Sequence, residues 1–180
     1  TGYAVYIENQ ALQIPLVDYL NNPSLYQNDP FGATLPYYAS TIWYLVAFAS
    51  RIVPLESLLF VLFLLTRLLV IIAAGYVAKV FAPQSKLAVV GAMAVFALSL
   101  AGPTLGGNAL LINYFEQTGL SIPFFLLAFA AFYQQNPWLV ALWTAIGFNC
   151  NSMYGAYALT YLGAAFLLDI HYLRNWKNGC

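Results

Sequence analysis

Charge is what this sequence has least of. Six Lys/Arg and six Asp/Glu in 180 residues make 7%, against roughly 25% in an ordinary soluble domain. With 62% of positions apolar, the composition excludes a soluble globule. A net charge of zero leaves no basic surface for nucleic acid, so no nucleic-acid partner is expected. Two cysteines, Cys150 and Cys180, form neither a disulfide framework nor a four-thiolate site by themselves. A single histidine, His171, removes most metal, haem and pigment chemistry, and no metal site is assigned. No basic start, apolar middle and small-residue cleavage site open the chain, so any targeting helix is expected outside this sequence. No fixed-period repeat and no low-complexity segment occur. The expectation is an all-α, polytopic transmembrane protein whose first partners are membrane lipids.

Residues 1–35 stand apart in composition, with Glu8, Asp18 and Asp29 among asparagines and the turn formers Pro15, Pro23, Pro30 and Gly32. They read as an outer polar loop. Inside it the spacing of Ala11, Leu12, Ile14, Leu16, Val17 and Leu20 predicts a short amphipathic helix that stops at Asn22-Pro23. Residues 36–53 are apolar but interrupted by Ser40, Thr41, Ser50 and Arg51 and carry Tyr37, Tyr38, Trp43 and Tyr44, which favour the headgroup level. They predict an interfacial helix ahead of the first complete span, with a full crossing as the competing reading. Residues 54–180 form the transmembrane domain, with crossings at 56–79, 87–104, 120–133, 138–148 and 153–168. The later segments fall short of the about 20 residues of a comfortable span. That implies local thinning or burial among other helices.

Five crossings with residues 1–55 on one side place Lys79, Lys86, Arg174 and Lys177 together on the other. Glu8, Asp18, Asp29, Glu56 and Glu116 share the first side with Arg51 alone. The positive-inside rule then makes the Lys/Arg-rich turns cytoplasmic and the acidic loops outward-facing, as in a bacterial inner membrane. Making 36–53 a true span would expel Lys79 and Lys86 and lose that bias.

Four constellations carry candidate chemistry. A carboxylate just outside the membrane suits a general base that takes a proton from an incoming hydroxyl, and Glu8 is the strongest candidate. Asp18 reads as a solvated helix face, and Asp29, before Pro30, as an Asx-turn acceptor. Glu116, in Asn113-Tyr114-Phe115-Glu116-Gln117-Thr118, returns an acid to the outer side; it either orients an acceptor, holds a divalent cation, or simply caps a helix. Arg67 falls near mid-bilayer if its helix spans symmetrically, where a guanidinium costs about 2.5–3.5 kcal/mol unless paired. It either meets an acid or a lipid-linked phosphate, or bonds the carbonyls of a broken helix. Asn149 and Asn151, in Asn149-Cys150-Asn151-Ser152, offer amides for sugar hydroxyls, although a plain interhelical turn explains them too. Cys150 and His171 have no partners at nucleophile or metal spacing.

The acid followed by Q-x-L-Q-I-P-L, the P-S-L-Y-x-x-D-P-F segment, the aromatic interfacial helix, the L-L-T-R-L-L helix ending at a basic turn, and the later F-E-Q-T before a span resemble the N-terminal half of bacterial GT-C class membrane glycosyltransferases. The resemblance covers nearly the whole chain and implies a polyprenyl-phosphate sugar donor, an outward-facing acceptor and inversion at the transferred sugar. It implies Glu8 as base, Glu116 as second acid, and Arg67 or Arg51 at the donor phosphate. Such enzymes carry a transmembrane helix directly before the acidic loop and more helices downstream, so the sequence is expected to be a processed or partial chain. Asn149 and Asn151 stand where a histidine is expected. The rival from another class is a non-catalytic integral subunit of a larger membrane complex; a channel or transporter ranks third, for no ion relay can be traced.

Overall fold

The computed structural model describes residues 3–5, 9–38, 40–98 and 112–168. Glu8, the 99–104 end of the second predicted crossing, and the tail with His171, Arg174, Lys177 and Cys180 lie outside the described residues. Among the described residues seven α-helices follow one another: α1 (Gln10–Asn21), α2 (Ile42–Ser50), α3 (Leu55–Phe81), α4 (Lys86–Leu98), α5 (Gln117–Tyr133), α6 (Pro137–Cys150) and α7 (Ser152–Leu168). Short 3-10 turns occur at Pro23–Tyr26 and Leu35–Tyr37, and no strand occurs among the described residues. The chain is all-α.

Among the described residues one helix, α3, is long and apolar enough to cross a membrane, at about 40 Å for its 27 residues. The shorter apolar helices are α4, α5, α6 and α7, with 13, 17, 14 and 17 residues. Packing is sequential: α4 and α5 lie on α3, α6 on α5, and α7 on α6 and α5, while α1 packs on α2. Two close approaches set this bundle. A methyl group on Gly147 of α6 would lie 2.5 Å from the Phe125 ring of α5, and one on Gly155 of α7 would lie 2.8 Å from the Phe148 Cα. Only glycine lets α6 reverse into α7 across the single residue Asn151. The α5–α6 turn is closed by Gln135 in the left-handed region (φ 56°) and by Asn136, whose Oδ1 accepts from the Leu139 N–H at 3.1 Å.

The helix expected over 36–53 is shorter, because Pro36 sits in a 3-10 turn and the Ser40 hydroxyl donates to the Cys150 carbonyl at 2.7 Å, holding the chain away from helical geometry. Within α2, Trp43, Val46 and Ala47 recur at helical spacing and are buried, while Leu45 and Phe48 stand exposed on the opposite face. Helix α5 starts at Gln117 rather than 120, since extended Glu116 (φ −140°, ψ 143°) precedes it.

Helix α5 does not run beside all of α3. Its start lies against Thr66, where a methyl on Gly119 would be 3.5 Å from Thr66 Cγ2, and its end sets Tyr133 against Phe81, ring centroids 4.4 Å apart and the rings tilted by 42°. The second half of α3 therefore belongs to the bundle. Its first half belongs to a cap: Leu59 joins Ile14, Val17, Leu35, Trp43 and Phe115 in one buried cluster. Arg67, expected near mid-bilayer, thus stands at the level where bundle and cap meet.

Candidate functional site

That seam carries a polar cleft of about 360 Å³. Four segments distant in sequence build it: the start of α1, Tyr37 with Tyr38 and Ser40, residues 116–118 at the start of α5, and residues 151–153 at the start of α7. Helix α1 is pinned by the Ala4 N–H donating to the Asn113 carbonyl at 2.9 Å and by Gln10 Nε2 donating to the Phe115 carbonyl at 3.2 Å. Glu116 then meets Asn9: Asn9 Nδ2 donates to Glu116 Oε1, and the Thr118 hydroxyl donates to the same oxygen at 3.2 Å. Asn151 Nδ2 donates to Thr118 Oγ1 at 2.8 Å, so the bonds run Asn151 to Thr118 to Glu116. The carboxylate is fixed from two sides.

The neighbouring wall is built by Gln117. Its Oε1 accepts from the Trp43 indole N–H, and its Nε2 donates to the Tyr38 hydroxyl at 3.2 Å. Trp43 is wholly buried and packs edge-on against Phe115, 5.8 Å between centroids, which aims the indole N–H at α5. Burial pushes the Tyr38 phenol above its ordinary pKa of 10; donation from the Gln13 and Gln117 amides draws it partly back, and nearby Glu116 adds to the rise. Tyr38 is therefore a neutral hydroxyl throughout the physiological range.

Of the residues singled out from sequence, Glu116 and Asn151 share the cleft. Asn151 also caps α7, its Oδ1 accepting from the Tyr154 N–H at 3.1 Å. Asn149 is exposed next door, accepting from the Thr41 hydroxyl at 3.4 Å and donating to the Ala145 carbonyl at 2.9 Å. Arg51 lies elsewhere: it is exposed after α2, its Nε donating to Asn21 Oδ1 at 2.8 Å. Arg67 donates to the Ile112 carbonyl at 2.7 Å and stands over the Phe63 ring at 5.2 Å. With Thr66, Tyr114 and Glu116 it lines a cavity of about 20 Å³, room for one water. A phosphate does not fit there, so a donor-phosphate role for Arg67 requires residues 112–116 to move. Asp29 Oδ1 accepts from the Phe31 N–H at 2.9 Å, an Asx turn, and Asp18 is exposed on α1. Among the described residues no three His, Cys, Asp or Glu side chains come together, and Glu116 is the one carboxylate among the described cleft residues that a divalent cation could meet.

Sequence reasoning missed Asn9, Gln13, Tyr38 and Gln117. A signal was present: Gln10 and Gln13 occupy the same helical stripe as Ile14 and Val17, and all four are buried. Glutamines in register with an apolar face mark a polar seam. Beyond the cleft, an apolar groove of about 630 Å³ runs along α6 and α7, with Phe132 and Pro137 toward one end and Phe148 and Asn149 toward the other. No protein family, curated protein or solved structure matches the chain.

Proposed function

We propose that this chain is a multi-pass membrane glycosyltransferase of GT-C type that moves a sugar from a polyprenyl-phosphate donor to a hydroxyl acceptor at the outer face of a bacterial inner membrane. The observation that carries the reading is the bond from Asn9 to Glu116: the residue next in sequence to Glu8 is tied to the second acid, across 107 positions of chain. In the proposed reaction the acceptor hydroxyl attacks the anomeric carbon, the bond from that carbon to the phosphate oxygen breaks with inversion, and the hydroxyl proton passes to Glu8. Glu116 orients the acceptor, with Asn151 supporting it through Thr118. The α6–α7 groove offers the polyprenyl chain an apolar surface beside the cleft.

Membrane insertion is supported by the outward apolar faces. Only 33% of the most apolar window of α3 is buried, and Leu64, Leu68 and Ile72 are exposed along it. The orientation is supported by the ends of α3, with Glu56 in its first turn and Lys79 in its last. The rival reading, a non-catalytic membrane subunit, draws on α4: it buries no residue fully, and Leu87, Val90, Val95 and Leu98 are exposed on it. Such a helix fits a contact with further membrane helices.

Transfer from a polyprenyl-phosphate sugar in reconstituted vesicles tests the reading. Glu8→Gln should lower the rate by about 10² to 10⁴ while donor binding survives, and Glu116→Gln should also reduce turnover. Unchanged transfer in both variants moves the weight to the subunit. For topology, an impermeant thiol reagent should modify Asn28→Cys but not Gln84→Cys in intact cells carrying Cys180→Ser. Labelling at Gln84→Cys overturns the orientation.

A further inference from the structure

We infer that the cleft is the binding site for an uncharged pyranose, and that Gln13, Tyr38 and Tyr37 recognise it. Three observations converge. Gln13 lines the cleft, is 1% exposed, and its Oε1 has no hydrogen-bond partner among the described residues. A buried amide oxygen left unpaired costs about 1–3 kcal/mol, so a ligand hydroxyl donating to it relieves a cost already present in the empty fold. Next to it the Tyr38 hydroxyl accepts from Gln117 Nε2 at 3.2 Å, and its own proton remains for an acceptor. The cleft therefore offers one acceptor and one donor side by side.

Vicinal sugar hydroxyls match such a pair, since each both donates and accepts. The third observation is the rim. Tyr37 presents its ring to solvent at 85% exposure, beside exposed Met153. An aromatic face left open at the edge of a polar cleft suits a ligand with an apolar C–H face, and a pyranose has one. Charge narrows the class further. Among the described residues the cleft is lined by Glu116 and by no Lys, Arg or His, so none of them matches a phosphate or a uronic acid, and the carboxylate repels both. A volume of about 360 Å³ is at the small end for ligand pockets, which suits one sugar ring with room for a substituent.

The inference rests on the transferase reading for its role, naming a neutral hexose as the acceptor, but the binding can be tested without transfer. The full chain in nanodiscs is titrated with methyl gluco-, galacto- and mannopyranoside, with methyl glucuronide and inorganic phosphate as charged probes, followed by saturation-transfer NMR. At least one neutral hexoside should bind, with its ring C–H protons saturated most, and the charged probes should stay silent. Tyr37→Ala, an exposed position that the fold does not need, should weaken that hexoside up to tenfold. Gln13→Leu should weaken it about fivefold without lowering thermal stability. Silence of all three hexosides, binding of the glucuronide as tight as theirs, or unaltered affinity in Tyr37→Ala and Gln13→Leu overturns the inference. The two readings fail separately. Hexoside binding with transfer indifferent to Glu8→Gln and Glu116→Gln retires the transferase and keeps the sugar site; transfer that depends on those acids with hexosides silent retires the acceptor assignment alone.

Discussion

The cap and the bundle are held together by different physics. In the cap and its seam with α5, polar side chains are buried and bonded across long sequence distances: Gln10 to Phe115, Ser40 to Cys150, Trp43 to Gln117 and Asn151 to Thr118. In the bundle the helices meet through apolar contact and glycine, as at Gly147 against Phe125, and Tyr76 to Gln134 is a peripheral interhelical bond at 3.1 Å. A bundle of apolar helix faces has little to gain from interhelical polarity, whereas a seam that buries polar side chains and holds a carboxylate needs directional bonds. The cleft forms where the two regimes meet.

Trp43→Ala should break the comparison most severely, since it empties the largest fully buried side chain of the seam. Denaturant unfolding of the solubilised protein should show a loss of about 3–5 kcal/mol. Trp43→Phe separates volume from the bond to Gln117, with a loss of about 1–3 kcal/mol; equal losses in both variants would mean that the indole N–H carries the whole effect. On the bundle side, Gly147→Ala drives a methyl into the Phe125 ring and should cost about 1–3 kcal/mol through overpacking. A neutral result there would show that α5 and α6 slide apart freely.

A smaller effect is expected at the seam's polar link. Asn151→Ala removes the α7 cap and the bond to Thr118, about 2 kcal/mol together, and Asn151→Asp should restore the cap alone and recover roughly half. Full recovery in Asn151→Asp would remove the Thr118 bond from the account. Smallest of all, Arg67→Leu ends the burial of a guanidinium but strands the Ile112 carbonyl, and the opposing effects should leave stability within about 1 kcal/mol. A loss above about 3 kcal/mol would reveal a charge that Arg67 neutralises.

Much of the helical layout was legible, because long apolar runs, Asn22-Pro23 and Gln134-Gln135-Asn136-Pro137 are local signals. A helix within 36–53 was legible too, but not its late start at Ile42, which follows a bond from Ser40 to a carbonyl 110 residues away. Of the site, Glu116 and Asn151 stood out as polar interruptions in apolar sequence. Gln117 did not, because an isolated glutamine carries no sign of what it will face; for Gln13 the one signal was its register with Ile14 and Val17.

By its composition alone the chain determined that it is helical and outwardly apolar, for the backbone of long apolar segments must satisfy its own hydrogen bonds and helices do so locally. Tertiary structure alone decided that α5 starts halfway along α3, that Arg67 meets a carbonyl rather than a phosphate-sized space, and that Asn9, Gln13, Tyr38 and Glu116 share one cleft. Those are outcomes of packing between segments about 100 residues apart, and side-chain pairing over such distances leaves no periodicity in sequence to read.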